Sequence, residues 1–277
     1  MRLGFVTDFR TERVAFAADQ GFDGVEVAAG WGGCALHPES ATDAECRNAR
    51  ELLDRHGVPA LTVLWGEDYT QLADPLARFR RVVEITQLLG APIVTANCWA
   101  PRNASLDEQH AYAVELWSRA APIAEDAGLR VAFENCPHGG ANYLRTPATF
   151  DAFFSAVTSP AVGLEFDPSH LVFQFIDPVP EIRAFGERIY AFHAKDTQIL
   201  LKDLQRVGVS GEGWWRFRVP GYGDLDWRAI FIALSDVAYA GDIIIEHEDP
   251  VFGGPEGLLL AAQHLRPFIP PTAIDEA

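Results

Sequence analysis

The chain has 277 residues, more than an ordinary domain but a length that α/β barrels fill as one unit. Hydrophobic residues make up 48% and charged residues 22%, with 18 Phe and 7 Trp, which supplies a sizeable core and excludes a disordered chain. Twenty-two Lys and Arg against 39 Asp and Glu leave a formal charge of -17, a balance that disfavours nucleic acid and anionic membrane surfaces as partners.

The first strand is predicted at 2–8, and Asp8, Arg10, Glu12 and Arg13 interrupt the apolar core that a secretory signal would need. Further strands follow at 23–28, 59–65, 92–97, 130–135, 162–167, 189–194 and 242–247. Between them lie polar loops and segments of helical spacing, closed by Gly21, Gly57, Gly90, Gly128 and Gly241, where a helix end needs a left-handed residue. Helix starts are marked by Asp74-Pro75, Thr146-Pro147 and Asp177-Pro178, and by Ser105 with Glu108 as a capping box. Runs such as Val131–Phe133 and Ile243–Ile245 are apolar on successive residues, as in parallel strands covered on both faces. Eight strands alternating with helices predict a closed (β/α)8 barrel, one domain over 1–269, with a loosely ordered tail at 270–277. An open doubly wound sheet is the second reading, but its usual Gly-rich nucleotide turn, GxGxxG or GxxxxGK[ST], is missing. No apolar stretch approaches the roughly 20 residues of a membrane span. Cys34, Cys46, Cys98 and Cys136 are neither dense nor spaced as CxxC, which suggests reduced thiols and a cytoplasmic location.

One connection breaks the short-loop pattern, a long loop at about 197–224 that carries Trp214, Trp215, Arg216 and Arg218 in an otherwise acidic protein. A lid over the site and a packed surface excursion are equal readings. Pairing of barrels, with these tryptophans between subunits of a homo-oligomer, stays open.

In such a barrel the chemistry sits where strands end. Strand one ends at Asp8, strand two contains Glu26, and strand four ends at Asn97. Strands five to eight end at Glu134, Asp167, His193 and Glu246, with gaps of 33, 26 and 53 residues that match successive βα units. Burying isolated carboxylates costs several kcal/mol each, so acids converging on one mouth need a cation, a shared proton or water. Any one of them would as readily cap the following helix; four in adjacent units argue for a shared metal. Three carboxylates and one imidazole suit Mn²⁺, Co²⁺ or Mg²⁺ better than the thiolate-rich sets of structural Zn²⁺.

The segments AFENCP (132–137), GLEFDPSH (163–170), FHAKDT (192–197), GWWRFRVPGYGDLDW (213–227) and IIIEHEDP (243–250) resemble those of the xylose isomerase-like TIM barrels. That superfamily includes sugar isomerases and epimerases, inosose dehydratases and, more remotely, apurinic endonucleases. The resemblance implies a metal-dependent sugar isomerase or epimerase with Glu134, Asp167, His193 and Glu246 on one divalent ion, Mn²⁺ first and Co²⁺, Mg²⁺ or Zn²⁺ next. It also implies that Glu134 and Glu246 exchange protons with the substrate. The residue chemistry agrees, since a proton leaves carbon beside a carbonyl while a Lewis acid steadies the enediolate.

His170 either contacts substrate, as the resemblance favours, or hydrogen-bonds a ligand carboxylate. Lys195 pairs with a substrate oxygen or neutralises the acidic rim. Arg216 resembles a substrate-gripping arginine, against a surface ion pair of little energetic value. Trp31, Trp65 and Trp99 either wall the sugar or pack, and Trp99 is taken as a substrate contact. Glu246 and Glu248 share one side of a strand, and Glu246 is chosen because it ends the apolar run. Cys98 and Cys136 are read as small buried fillers. The competing functions are a lyase or dehydratase on a keto sugar, inositol derivative or glycoside, a repair endonuclease that the acidic charge argues against, and a silent binding module.

Overall fold

In the computed structural model, which describes residues 1–30, 33–137 and 141–269, the chain alternates strand and helix from end to end. The order is β1 (Leu3–Thr7), α1 (Thr11–Asp19), β2 (Gly24–Ala29), α2 (Asp43–His56), β3 (Ala60–Trp65), α3 (Pro75–Leu89), β4 (Ile93–Asn97) and α4 (Leu106–Asp126). It continues with β5 (Arg130–Glu134), α5 (Pro147–Ala156), β6 (Val162–Phe166), the short α6 (Ser169–Val172), α7 (Pro178–Phe185), β7 (Ile189–Ala194), β8 (Asp196–Ile199) and α8 (Leu201–Val207). Last come β9 (Trp215–Arg218), α9 (Trp227–Asp236), β10 (Asp242–Ile245) and α10 (Gly254–Leu265). Strands β1 to β7 and β10 close into a parallel barrel, with β10 between β7 and β1. The seam is in register at Leu3 opposite Ile243 and Phe5 opposite Ile245. The (β/α)8 barrel expected from the eight apolar runs is therefore the fold.

Strand alternation splits the apolar residues into two populations. Val131, Phe133, Ile243 and Ile245 face outward into the large core between strands and helices. Ala132 and Ile244 face the lumen, where they join Leu61 in a small separate cluster. Leu61 fits only because β1 and β2 offer glycine: a Cβ on Gly4 or Gly24 would lie 2.6 or 2.5 Å from its side chain. Above this plug the lumen turns polar, with Glu26, Thr62, Thr95, Glu165 and His193 all buried.

Helix ends follow the local chemistry. Asp74 and Asp177 cap α3 and α7 ahead of a first-turn proline, and Ser105 with Glu108 closes the capping box of α4. Gly57 and Gly90 adopt the left-handed conformation at the ends of α2 and α3. Gly241 departs from the expectation: α9 ends at Asp236 and Ala238 takes the left-handed turn at φ 52°. Gly241 is glycine for space instead, since a Cβ there would lie 2.5 Å from the Tyr239 hydroxyl.

The stretch at 197–224 is not a structureless loop. β8 and β9 pair antiparallel, Asp196 opposite Arg218 and Ile199 opposite Trp215, with the exposed α8 between them. Asp196 anchors the hairpin by accepting hydrogen bonds from Trp227 Nε1 (2.9 Å) and from the amides of Gly221, Leu225 and Thr197. Among the described residues no helix is long and apolar enough to cross a membrane. The tail at 270–277 and Trp31 lie outside the described residues.

Candidate metal centre and active site

Glu134 ends β5, Asp167 follows β6, His193 lies in β7 and Glu246 follows β10, four neighbouring positions around the C-terminal rim. Each offers one donor atom, and the four atoms lie within 4.8 Å of one another. His193 Nδ1 sits between two of the acids, 3.3 Å from Glu134 Oε1 and 3.3 Å from Glu246 Oε2. Asn135 holds the β5 and β6 ends together, accepting from Asp167 N at 2.7 Å and donating to Asp167 O at 2.9 Å. Asp167 Oδ1 accepts from Ser169 N at 2.8 Å, while its buried Oδ2 faces the Lys195 ammonium at 3.2 Å and His170 Nε2 at 3.4 Å.

Lys195 is buried in this group. Its ammonium pairs with Glu246, with Glu248 Oε2 at 2.9 Å and with Asp167 Oδ2 at 3.2 Å, and it lies 4.4 Å from the centre of the Phe217 ring. Burial opposes its charge, yet the field of Glu246, Asp167, Glu134 and Glu248 holds it well above the usual lysine range. Burial, the largest single influence, pushes Glu246 up, but the Lys195 charge together with the charge and hydrogen bond of His193 brings it down to about 2. Glu134 is also held well below its ordinary value against burial, by hydrogen bonds from His170 and His193 and by the Lys195 charge.

A second set of groups lies beneath, inside the lumen. His193 Nε2 is 2.8 Å from Glu26 Oε2 and 3.1 Å from Glu165 Oε1, and Thr95 Oγ1 donates to Glu26 Oε1. Burial and the neighbouring Glu26 push Glu165 well above the usual carboxylate range. Burial would lower His193, but Glu165, Glu26 and Glu246 together hold it well above its ordinary value. Sequence reasoning noted Glu26 without a role and missed Glu165, whose signal is an acid inside the apolar run GLEF, two residues before Asp167 and so on the same strand face.

The other residues read from the sequence divide. His170 Nε2 is 3.1 Å from Glu134 Oε1 and 3.4 Å from Asp167 Oδ2, the carboxylate-bonding arrangement. Glu246 joins the four-atom group, whereas Glu248 is half exposed and pairs with Lys195 among the described residues. Arg216 spends its guanidinium on Gln198 Oε1 across the hairpin, at 3.0 and 2.8 Å. Trp99 is half-buried beside the Glu134 loop, bridged through its backbone to Asn142. Trp65 is fully buried on the outer side against Tyr69 and Phe79, so it packs and does not wall the mouth. Asp8 pairs with Arg10 and is not among the grouped donors of the described residues. Cys98 is a buried filler, but Cys136 is not: it is half-buried, and its sulfur lies within 4.8 Å of donor atoms of Glu134 and His170. Trp215 stacks on Phe173 at 4.1 Å and Phe217 packs edge-on to His170, so the hairpin walls one side of the site.

A model of the xylose isomerase-like TIM barrel family matches residues 14–268, and the chain belongs to that family. An inosose dehydratase of Clostridium beijerinckii is 30% identical over 138 residues, 48% of this chain and 45% of that protein. The chain spans about half the length of the curated relatives it matches. Among solved structures, D-psicose 3-epimerase in the presence of D-fructose matches 94% of this chain and 89% of its own, at 22% identity and a TM-score of 0.71. The IolI protein with a bound zinc atom matches 97% and 98%, at 18% identity and a TM-score of 0.77. At such identities the structural likeness speaks to the fold.

Proposed function

We propose that the chain is a divalent-metal-dependent enzyme that moves a proton on the carbon beside a carbonyl of a small sugar, as an isomerase or epimerase. The observation that carries this is the convergence of Glu134, Asp167, His193 and Glu246 within 4.8 Å at the catalytic end of the barrel. The residues fit a cation: the donors are three oxygens and one nitrogen, and the buried Asp167 Oδ2 already faces a positive charge, the Lys195 ammonium at 3.2 Å. Such a set suits Mn²⁺, with Co²⁺, Mg²⁺ and the Zn²⁺ seen in IolI as further candidates. A bound divalent ion supplies Lewis-acid polarisation of a substrate carbonyl.

Glu134 and Glu246 approach His193 Nδ1 from β5 and β10, so one can take a proton from a substrate carbon while the other returns one, each for about 10²–10⁴-fold in rate. His170 steadies the Glu134 carboxylate and Lys195 that of Glu246. Phe217 and Trp215 keep water from one side. In this reading Trp99 meets a sugar C–H face, and Arg216 reaches sugar hydroxyls in exchange for its bonds to Gln198 Oε1. With four free cysteines among the described residues and an acidic surface, the enzyme is read as cytoplasmic and indifferent to nucleic acid and membranes.

Elimination of water is the second reading, and the inosose dehydratase likeness favours it. The same proton abstraction then needs an acid for the leaving oxygen, a role open to His170. Incubation of metal-loaded protein with ketoses and inososes in D₂O separates the two. Deuterium at one carbon with the skeleton intact marks epimerisation, and loss of water marks the dehydratase. A protein that binds no divalent ion and exchanges no proton on any of these substrates overturns both.

A further inference from the structure

The metal reading leaves a question that the lumen answers: which nitrogen of His193 faces the ion, and what holds it there. An imidazole that gives one lone pair to a metal carries its proton on the other nitrogen, and that proton needs an acceptor. Nε2 points down the barrel, where Glu26 Oε2 stands at 2.8 Å and Glu165 Oε1 at 3.1 Å. Nδ1 points up, between Glu134 and Glu246 at 3.3 Å each. Glu26 is itself fixed, because Thr95 Oγ1 donates to its other oxygen, and Glu26, Thr95, Glu165 and His193 are all fully buried. These groups come from β2, β4, β6 and β7, so the arrangement spans the lumen and cannot be rebuilt by a loop shift.

Resting on the metal reading, we infer that Glu26 is a positioning residue: its carboxylate accepts Nε2–H of His193 and so directs Nδ1 to the divalent ion. Glu165 encloses the same nitrogen from the other side, and Thr95 fixes the Glu26 rotamer. A carboxylate in this position makes the ring a better donor and removes the alternative tautomer, and its loss weakens metal affinity by roughly 10–100-fold in comparable dyads. An amide does the opposite, because Glu26→Gln can turn its NH₂ toward Nε2 and favour the tautomer whose proton sits on Nδ1, where the ion would bind.

The test titrates the full-length wild type and Glu26→Gln with Mn²⁺ and Zn²⁺ against a competing chelator. In parallel, the two ring nitrogens of His193 are assigned by ¹⁵N NMR of Zn²⁺-loaded wild type, a measurement that does not depend on the variant folding. The expected result is one ion per chain, a proton on Nε2, Nδ1 without one, and affinity roughly 10–100-fold weaker in Glu26→Gln. Equal affinity in a folded Glu26→Gln, or a proton on Nδ1 of the loaded wild type, overturns the inference while leaving the metal reading intact. A second ion per chain that disappears with Glu26→Gln also overturns it, since Glu26, Glu165 and His193 would then be a cation pocket of their own. Wild type that binds neither ion overturns the metal reading and this inference with it.

Discussion

The two ends of the barrel are built from the same eight strands and treat charge in opposite ways. At the N-terminal end lies a cavity of about 690 Å³ whose lining includes Arg2, Arg130, Tyr190, Tyr239 and Asp242. Several of its polar groups find partners within the protein. Arg2 grips Asp242 with two hydrogen bonds of 2.8 and 2.7 Å, Arg130 stacks over Tyr190, and the two tyrosine hydroxyls donate to Pro160 O and Asp242 O. At the C-terminal end the cavity beside Glu246, His247 and Glu248 is only about 200 Å³, yet it adjoins buried acids that outnumber the cations near them. The lesson is that open volume does not locate chemistry in this molecule. Unbalanced buried charge does, because a fold keeps it only where a ligand offsets it.

The largest break of this comparison comes from the acids. Glu134→Gln and Glu246→Gln are expected to lower metal-dependent proton exchange by about 10²–10⁴-fold while the fold is retained, measured by deuterium incorporation with the best substrate. Unchanged exchange in either variant would remove that residue from the chemistry. Next is Lys195, the cation that balances Asp167, Glu246 and Glu248 in the metal-free protein. Removing one partner of a buried ion pair costs about 3–5 kcal/mol, so Lys195→Met lowers the metal-free melting temperature, and saturating Mn²⁺ raises it by more than it raises the wild type's. Equal metal-induced rises would mean that Lys195 does not stand in for the ion's charge.

How far these two ends could be read without coordinates depends on what each residue does. The strands were legible because apolar runs punctuated by caps are local chemistry, and so were Glu134, Asp167, His193 and Glu246, since a polar residue closing an apolar run is unusual at a buried strand end. Glu165 and the partnership of Glu26 were not, because both sit inside strands and acquire meaning only when β2, β6 and β7 face one another across a closed lumen. The β8–β9 hairpin was missed for a similar reason: its two short strands are separated by α8, and no tight turn marks their pairing. Gly241 shows the converse, a glycine at the right place for a helix end that is needed to clear Tyr239. Cys136 looked like its neighbour Cys98, and only the path of the loop after β5 brings it to the site.

A smaller effect sharpens the contrast from the other side. Arg2→Ala breaks the ion pair of the N-terminal end, where Arg2 is substantially exposed, and is expected to cost at most about 1 kcal/mol with metal affinity unchanged. A change in affinity would mean that the two ends are coupled through β1 and β10.

The smallest effect concerns a charge at the catalytic end that is satisfied without any ligand. Glu108 accepts from Ser105 N at 2.7 Å and from Ser105 Oγ at 2.8 Å, and these bonds, backbone first, hold its carboxyl below its ordinary 4.5. A value lowered by folding means that the ionised form is favoured in the native state. Its contribution is therefore full above 4.5 and drains away as the pH falls through the native value. Ser105→Ala and Glu108→Gln should each destabilise slightly at neutral pH. The gap between wild type and Glu108→Gln in urea unfolding should narrow on acidification below 4.5. Metal affinity should not move in either variant, because the box satisfies a helix end and leaves no buried charge for an ion to offset. A gap that stays constant into acid would mean that the glutamate acts through packing and not through its charge.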